Sequence, residues 1–227
     1  YHIILLITAI PLVITLLIIK FKVQESPVQN VSMKTGVKTS LPRSFYIFLG
    51  IMLLFGLGNS SDAFLILRAQ NLGVTLLAIP LVFALFNFVY AIASVPLGTL
   101  SDRIGREKVI MLGWLAYALA YAGFAFATAS YQIWLLFAFY GLYYATTEGV
   151  AKAFVADMVH ADHRGRAYGI YNAALGLITL PASIIAGLLW EKVSPAAPFM
   201  FGAVLSCVAL LALLFFVYGN QRPLRMA

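Results

Sequence analysis

Charged residues are scarce in this chain. Lysine, arginine, aspartate and glutamate together account for 10% of its 227 residues, whereas 63% of the residues are hydrophobic. The mean hydropathy is +0.95. A soluble domain carries about 25% charged residues and could not bury so much apolar surface. The composition therefore excludes an ordinary soluble protein and indicates one helical unit within a membrane.

Cysteine is nearly absent as well. The single cysteine, Cys207, lies within an apolar run, so the chain can form no internal disulfide and offers no paired cysteines for zinc. The sequence also contains no phosphate-binding loop and no Ser/His/Asp set, and its three histidines lie at the chain start and in one polar stretch. We therefore expect no enzymatic activity, no cofactor and no metal.

Seven apolar segments follow one another along the chain, and each is about as long as a helix that crosses a bilayer. A helix pairs its own backbone groups in lipid, so helices rather than open strands are expected. The segments are predicted at residues 1–19, 45–67, 73–97, 109–129, 132–153, 168–190 and 196–218. The predicted fold class is an all-α integral membrane protein, a polytopic bundle of about seven transmembrane helices.

Basic residues occupy alternate connections between these segments. Lysines and arginines occur in the first, third and fifth connections and in the C-terminal tail, whereas the second and fourth connections are nearly bare. The positive-inside rule then places the basic connections and the C-terminus in the cytoplasm. The net charge of +7 is explained by this topology and by contact with anionic lipid, so a nucleic acid is not expected as a partner.

The chain is predicted to divide into four parts. A transmembrane helix at 1–19 precedes a polar cytoplasmic linker at 20–43, which is followed by a six-helix bundle at 44–219 and a cytoplasmic tail at 220–227. The first residue is a tyrosine that already lies inside an apolar run. We therefore expect the sequence to be a piece of a longer protein.

The most distinctive motif is GTLSDRIGREKVI at residues 98–110, a dense charge cluster between two apolar runs. It resembles the G-x-x-x-D-R-x-G-R signature of the major facilitator superfamily of transporters, and the matching residues are Gly98, Asp102, Arg103, Gly105 and Arg106. The stretch RGRAYG at 164–169 is similar to an R-G-x-x-x-G pattern of the same family. The resemblance implies that the chain is the C-terminal half of a twelve-helix carrier, in which segment 1–19 is helix six.

The resemblance also implies a gate on the cytoplasmic side. A carrier alternates its opening by rocking one half against the other, so a contact must close the cytoplasmic side in one state. Asp102 would face the positive end of a helix in the other half, and Arg106 would pair with Asp157. The implied gate residues are Gly98, Asp102, Arg103, Gly105, Arg106, Asp157, Arg164 and Gly165. The alternative is a solvated loop whose charges only fix the orientation.

Acidic side chains within apolar segments point to a substrate or proton site, because a charge at mid-membrane costs about 2.5–3.5 kcal/mol. Asp62 follows Asn59 by three residues, which places both on one face of a predicted helix. Four residues spaced by four form one ladder on a later helix, namely Tyr140, Tyr144, Glu148 and Lys152. We expect Asp62 or Glu148 to carry a coupling proton, and the tyrosines to contact substrate. The alternative is a structural Glu148–Lys152 ion pair and a helix-packing role for Asp62.

Two further residues, Arg68 and Trp114, lie near predicted segment ends and are expected to be interfacial anchors. The expected function is secondary active transport of small molecules by alternating access, coupled to protons, with efflux as the leading direction and uptake left open. Its partners would be a small-molecule substrate, protons, the lipid bilayer of a prokaryotic plasma (inner) membrane, and the missing N-terminal half. The alternative is a seven-helix receptor or a membrane scaffold subunit.

Overall fold

The described part of the protein, residues 40–219 of a computed structural model, is helical and contains no strand. Its helices are α1 (Arg43–Gly58), α2 (Ala63–Asn71), α3 (Ile79–Ile104), α4 (Arg106–Phe126), α5 (Ser130–Met158), α6 (Arg164–Lys192) and α7 (Ala197–Gly219), with a 3-10 turn at Ala161–His163. The all-α prediction is confirmed. The predicted helix at 1–19, most of the linker and the tail at 220–227 lie outside the described residues.

Five helical segments of the described region are long and apolar enough to cross a membrane, with α1 and α2 together forming the first of them. Helix α5 is long enough at 29 residues, but it carries four tyrosines, two threonines, Glu148 and Lys152 and is less apolar. It makes its most extensive contacts with α3 and α4. One of the most extensively packed helices of the bundle therefore carries several polar side chains.

The predicted helix at 45–67 is interrupted, which corrects the sequence-based expectation. Helix α1 ends at Gly58, four residues are not helical, and α2 begins at Ala63. The interruption has the sequence Asn-Ser-Ser-Asp, and these side chains compete with helical hydrogen bonds for the backbone. Asn59 and Asp62 consequently do not share a helical face, and the prediction that they do is wrong.

The charge cluster at 98–110 was expected to form a loop, but almost all of it is helical. Helix α3 continues through Ile104, and α4 begins at Arg106, so Gly105 is the whole connection. Gly105 has a φ of +105°, and a Cβ there would lie 2.6 Å from a carboxylate oxygen of Glu107. Glycine is needed at this position because other residues rarely adopt that backbone conformation. A one-residue reversal places Arg106 at the very start of α4.

Trp114 lies in the core rather than at a membrane interface. Its side chain has no exposed surface, and its indole stacks on Phe55 with ring centroids 4.9 Å apart. The helical period places Trp114 on the same face of α4 as Tyr117 and Tyr121, which are also buried. The interfacial-anchor interpretation of Trp114 is therefore wrong.

Helices α1 and α7 approach each other closely where two glycines meet. A Cβ added to Gly58 would lie 2.9 Å from the Cβ of Leu205 and 3.1 Å from the Cα of Gly202. The neighbouring atoms belong partly to backbone, so they cannot move aside as a flexible side chain would. This contact fixes the end of α1, and thus the start of the interruption, against α7.

Replacing Gly58 with alanine tests this close contact. We expect Gly58→Ala to cost about 1–3 kcal/mol through overpacking, which would lower the midpoint of thermal unfolding in detergent by roughly 2–12 °C. The matched control is Gly50→Ala in the same helix, because a Cβ there meets no atom within 4 Å. The control should leave the midpoint unchanged or raise it slightly. Equal midpoints for the two variants would contradict the proposed contact.

Candidate functional site

Asp62 lies at the interruption and contacts two tyrosines of α5. The Tyr140 hydroxyl donates to Oδ1 at 3.2 Å, and the Tyr144 hydroxyl lies 3.5 Å from Oδ2. Within residues 40–219, Asp62 forms no ion pair with a lysine, arginine or histidine. A carboxyl group with two neutral donors and no cation can exchange a proton or receive a cationic group.

The backbone and side chains of the interruption are satisfied by further tyrosines. The Tyr117 hydroxyl donates to the carbonyl of Gly58 at 2.9 Å, and the Asn59 amide donates to the Tyr143 hydroxyl at 3.3 Å. A carbonyl freed at a helix end must find such a donor when no water is present. Helices α4 and α5 therefore supply two of the hydrogen bonds that the interrupted segment cannot make for itself, and Ser183 on α6 accepts a third from the Ser61 backbone N–H at 3.4 Å.

The tyrosines form one continuous aromatic cluster. Tyr117, Tyr121 and Tyr140 are at most 1% exposed, and the rings of Tyr117 and Tyr121 stack with centroids 3.9 Å apart. The sequence indicated Tyr140 and Tyr144 but not Tyr117, Tyr121 or Tyr143. A signal was present, because Tyr117 and Tyr121 are four residues apart and share a helical face. Spacing alone does not say that this face meets α5.

Glu148 and Lys152 continue the ladder that begins at Tyr140 and Tyr144. The Lys152 Nζ lies 3.2 Å from Glu148 Oε1, and both side chains are about half exposed. An exposed pair at this spacing contributes only about 0.3–0.5 kcal/mol. Glu148 is therefore held weakly and can exchange Lys152 for another partner at little cost.

A cavity of about 300 Å³ lies among α1, α4, α5 and α6. Four of the predicted site residues line it, namely Asn59, Tyr144, Glu148 and Lys152. Asp62 and Tyr140 are not in its wall, although each contacts Tyr144. Phe55 and Trp114 also belong to its lining, although both rings are almost fully buried, and Asn172 on α6 adds an amide. A cavity of this size, apolar with a few polar groups, is typical of a site for a small molecule.

Three of the predicted gate residues meet at the end of the bundle where α3 joins α4. Arg106 Nε lies 2.9 Å from Asp157 Oδ2, and Arg106 Nη2 lies 3.5 Å from Asp102 Oδ1. The Arg106 side chain is 26% exposed, that of Asp157 is 51% exposed and that of Asp102 is 68% exposed. The Arg106 guanidinium thus joins the last turn of α3, the first turn of α4 and the last turn of α5.

The other predicted gate residues are placed differently. Arg164 donates through Nε to the carbonyl of Ala156 at 3.2 Å, so it lies beside the end of α5. Arg103 is exposed and forms no ion pair with any residue in the described region. A Cβ at Gly98 or Gly165 would meet no atom within 4 Å. The described helices therefore give no steric reason for glycine at these two positions.

Arg68 is buried and is not an interfacial anchor, which corrects the sequence-based expectation. It is 7% exposed, and its guanidinium donates to three backbone carbonyls around the end of α4. The sequence could not reveal this role, because backbone acceptors leave no trace in residue identity.

Comparison with known proteins matches the chain to one protein family and to several relatives. The family model described as "Major Facilitator Superfamily" matches residues 47–225. The uncharacterized MFS-type transporter MJ1317 of Methanocaldococcus jannaschii is 40% identical over 220 residues, which are 93% of this chain and 55% of that protein.

Two tetracycline resistance proteins of Escherichia coli are also similar. The class B protein is 33% identical over 132 residues, which are 58% of this chain and 32% of that protein. The class C protein is 32% identical over 149 residues, which are 62% of this chain and 36% of that protein. The chain spans about half the length of MJ1317 and aligns with about a third of each resistance protein.

The hydrogen bond from Tyr117 to Gly58 can be tested through stability. Tyr117→Phe keeps the ring but leaves the buried carbonyl of Gly58 without its donor, so it should cost about 1–3 kcal/mol. The midpoint of thermal unfolding should fall accordingly. Tyr131→Phe is the control, because Tyr131 is 66% exposed and its change should have no effect. A Tyr117→Phe protein as stable as the control would contradict this role of the hydroxyl.

Proposed function

The chain belongs to the major facilitator superfamily, and we propose that it forms one half of a secondary active transporter that works by alternating access and couples its substrate to protons. The observation that carries the proposal is the Asp62 carboxyl, which accepts from two tyrosine hydroxyls and has no cation in the described region. It lies at a helix interruption beside a cavity of suitable size. Ionisable groups within the membrane usually mark substrate or ion pathways.

The proposed coupling follows from the cost of burying charge. Ionised Asp62 is tolerated while water reaches the site, because water solvates the carboxylate together with Tyr140 and Tyr144. When the halves close and water leaves, the protonated and neutral form is favoured. Asp62 thus gains a proton from one side and loses it to the other as the opening alternates. Glu148, paired with Lys152 on the cavity wall, is the second candidate for this role.

The gate is proposed at the end of the bundle that holds Arg106. Its pairs with Asp102 and Asp157 are partly exposed, so they can break and re-form at a cost of about 0.2–1 kcal/mol each. Asp102, the most exposed of the three, is free to contact a helix of the other half. Gly98, Arg103, Arg164 and Gly165 complete the proposed gate as its surrounding surface.

The proposed substrate is a small amphipathic compound with an aromatic part, and the proposed direction is efflux. The partly exposed ring of Tyr144 offers a stacking surface, while Asn59 and Glu148 offer polar contacts. Two relatives carry the name tetracycline resistance protein, which supports export as the direction. We further propose that the protein lies in a prokaryotic plasma membrane with its C-terminus in the cytoplasm, and that an N-terminal half completes the cavity.

Replacing Asp62 tests the proposed proton coupling. Full-length protein in proteoliposomes with an internal pH dye is first given tetracycline and a panel of amphipathic aromatic dyes, and the compound that the unmodified protein moves is used afterwards. Asp62→Asn should reduce substrate-driven proton movement at least about tenfold, since the amide cannot exchange a proton. Substrate exchange without net proton movement should continue.

The control for Asp62 is Glu191→Gln, because the Glu191 side chain is 72% exposed and far along the chain from the site. It should transport as the unmodified protein does. Substrate-driven proton movement is measured in parallel for Glu148→Gln. The variant that loses this movement identifies which of the two acids carries the proton. Normal proton movement in Asp62→Asn would remove Asp62 from the mechanism.

The gate is tested by a double-mutant cycle on Arg106 and Asp157. Arg106→Gln and Asp157→Asn should each change the exchange rate about 1.5- to 5-fold, the equivalent of losing about 0.2–1 kcal/mol from one state. The double variant should be no worse than the single variants, since they remove the same contact. Asp162→Asn serves as control, because its side chain is 61% exposed and pairs with His160 rather than with Arg106. Effects of the single variants that multiply in the double variant would show that the pair does not act as a unit.

A further inference from the structure

Arg68 is the one arginine of the described region that is buried in the bundle. It lies on α2, the nine-residue helix that follows the interruption. Its exposed fraction is 7%, and no carboxylate lies within ion-pair distance of it in residues 40–219. Burying an unpaired guanidinium is costly, so its position calls for a compensating set of contacts.

The compensation comes from the end of α4. Arg68 Nε donates to the carbonyl of Phe124 at 2.9 Å, and Nη2 donates to the carbonyls of Ala125 and Ala127 at 3.1 and 3.0 Å. In a fourth hydrogen bond, Arg68 Nη1 donates to Asn71 Oδ1 at 2.8 Å. Four hydrogen bonds therefore fix the guanidinium.

These carbonyls need an external donor. The last carbonyls of a helix have no partner within it, and they carry the negative end of the helix dipole. The planar guanidinium presents its donors in a fixed fork, which suits three acceptors in different directions. Hydrogen bonds from a charged donor are also stronger than neutral ones. Arg68 thus caps α4 from another helix, and the negative end of the helix dipole offsets part of its charge.

Besides Arg68, helix α2 is held by apolar packing near its start, where Phe64 and Ile66 lie partly buried against the core and the Phe64 ring contacts Trp190. Only Leu65 and Ala69 are buried along with Arg68, and a helix of nine residues is too short to be stable by itself. The interruption leaves α2 without a continuous helical link to α1. Asp62 immediately precedes α2, about 9 Å from Arg68 along the axis. The placement of the carboxyl therefore depends on what anchors the far end of α2.

We propose that Arg68 is a positioning residue for Asp62: by fixing α2 to the end of α4, it holds the Asp62 carboxyl within reach of the Tyr140 and Tyr144 hydroxyls. The functional meaning of this placement rests on the proposed role of Asp62 in proton coupling. Lysine cannot replace Arg68 fully, because its three donors radiate from a single nitrogen and cannot span all of the acceptors.

Infrared spectroscopy of the full-length protein in lipid membranes tests the placement directly. Subtracting the infrared spectrum of Asp62→Asn from that of the unmodified protein isolates the absorption of the Asp62 carboxyl, whether that carboxyl is protonated or ionised. A double variant, Tyr140→Phe with Tyr144→Phe, removes both donors and calibrates the shift that this absorption shows without them. Arg68→Lys should shift the Asp62 absorption most of the way to that calibrated position and broaden it. Arg68→Gln, which keeps an amide donor, is the second variant should the lysine protein not fold.

Two controls separate the loss of the Arg68 backbone contacts from the general effects of a substitution. Asn71→Ala removes the contact within α2 but leaves the three backbone contacts of Arg68, so the Asp62 absorption should not move. Arg166→Lys changes an exposed arginine on α6 and should also have no effect. A shift in either control as large as that in Arg68→Lys would overturn the proposal.

The remaining outcomes are equally decisive. An Asp62 absorption at its unmodified position in Arg68→Lys would overturn the positioning role, as would a double tyrosine variant without any shift. The proposed function fails separately, if the absorption never changes between its ionised and protonated forms as the pH is varied. A shift in Arg68→Lys together with an Asp62 that does not titrate would therefore support the positioning role and reject the proton role.

Discussion

A polar group that this bundle removes from water needs a partner inside the protein, because lipid offers none. Among the buried side chains of residues 40–219, Trp114 Nε1 is the one polar atom without such a partner. The interruption between α1 and α2 makes this requirement most severe, since it frees backbone groups in the middle of a membrane-length segment. Tyr117 satisfies the carbonyl of Gly58, and Tyr143 accepts from Asn59. Arg68 performs the corresponding task where α4 ends. The aromatic core is arranged around these few hydrogen bonds.

The need for buried partners also distinguishes the contacts that must stay intact from the contacts that can break. Buried contacts such as Tyr117 to Gly58 cannot break without leaving a carbonyl unsatisfied. The pairs that Arg106 makes with Asp102 and Asp157 are partly exposed, so water can replace either partner at small cost. The proposed function requires both properties, a rigid frame around the site and weak contacts at the proposed gate. In this bundle the buried frame is built from tyrosines and the weak contacts from charges.

Hydropathy located the helices but not their ends. The predicted segment at 132–153 became α5 at Ser130–Met158, and the segment at 73–97 became α3 at Ile79–Ile104. Charged residues such as Asp102 and Arg103 stop an apolar run without stopping the helix, because a helix can extend beyond the lipid with its side chains in water. The interruption at Asn59 escaped prediction for the opposite reason, since the hydropathy of its surroundings stays high across it.

Residue types and their spacing were enough to predict the fold class, the family, most of the helical segments within residues 40–219 and a set of polar residues worth attention. These follow from properties of single residues and their spacing, namely apolarity, charge, and the motif at Gly98–Arg106. Which polar groups meet could be read only from the packed helices. Asp62 and Tyr140 are 78 residues apart, and Arg68 reaches carbonyls 56–59 residues away. Such contacts depend on which helix faces pack together, and backbone acceptors are the same at every position of a sequence.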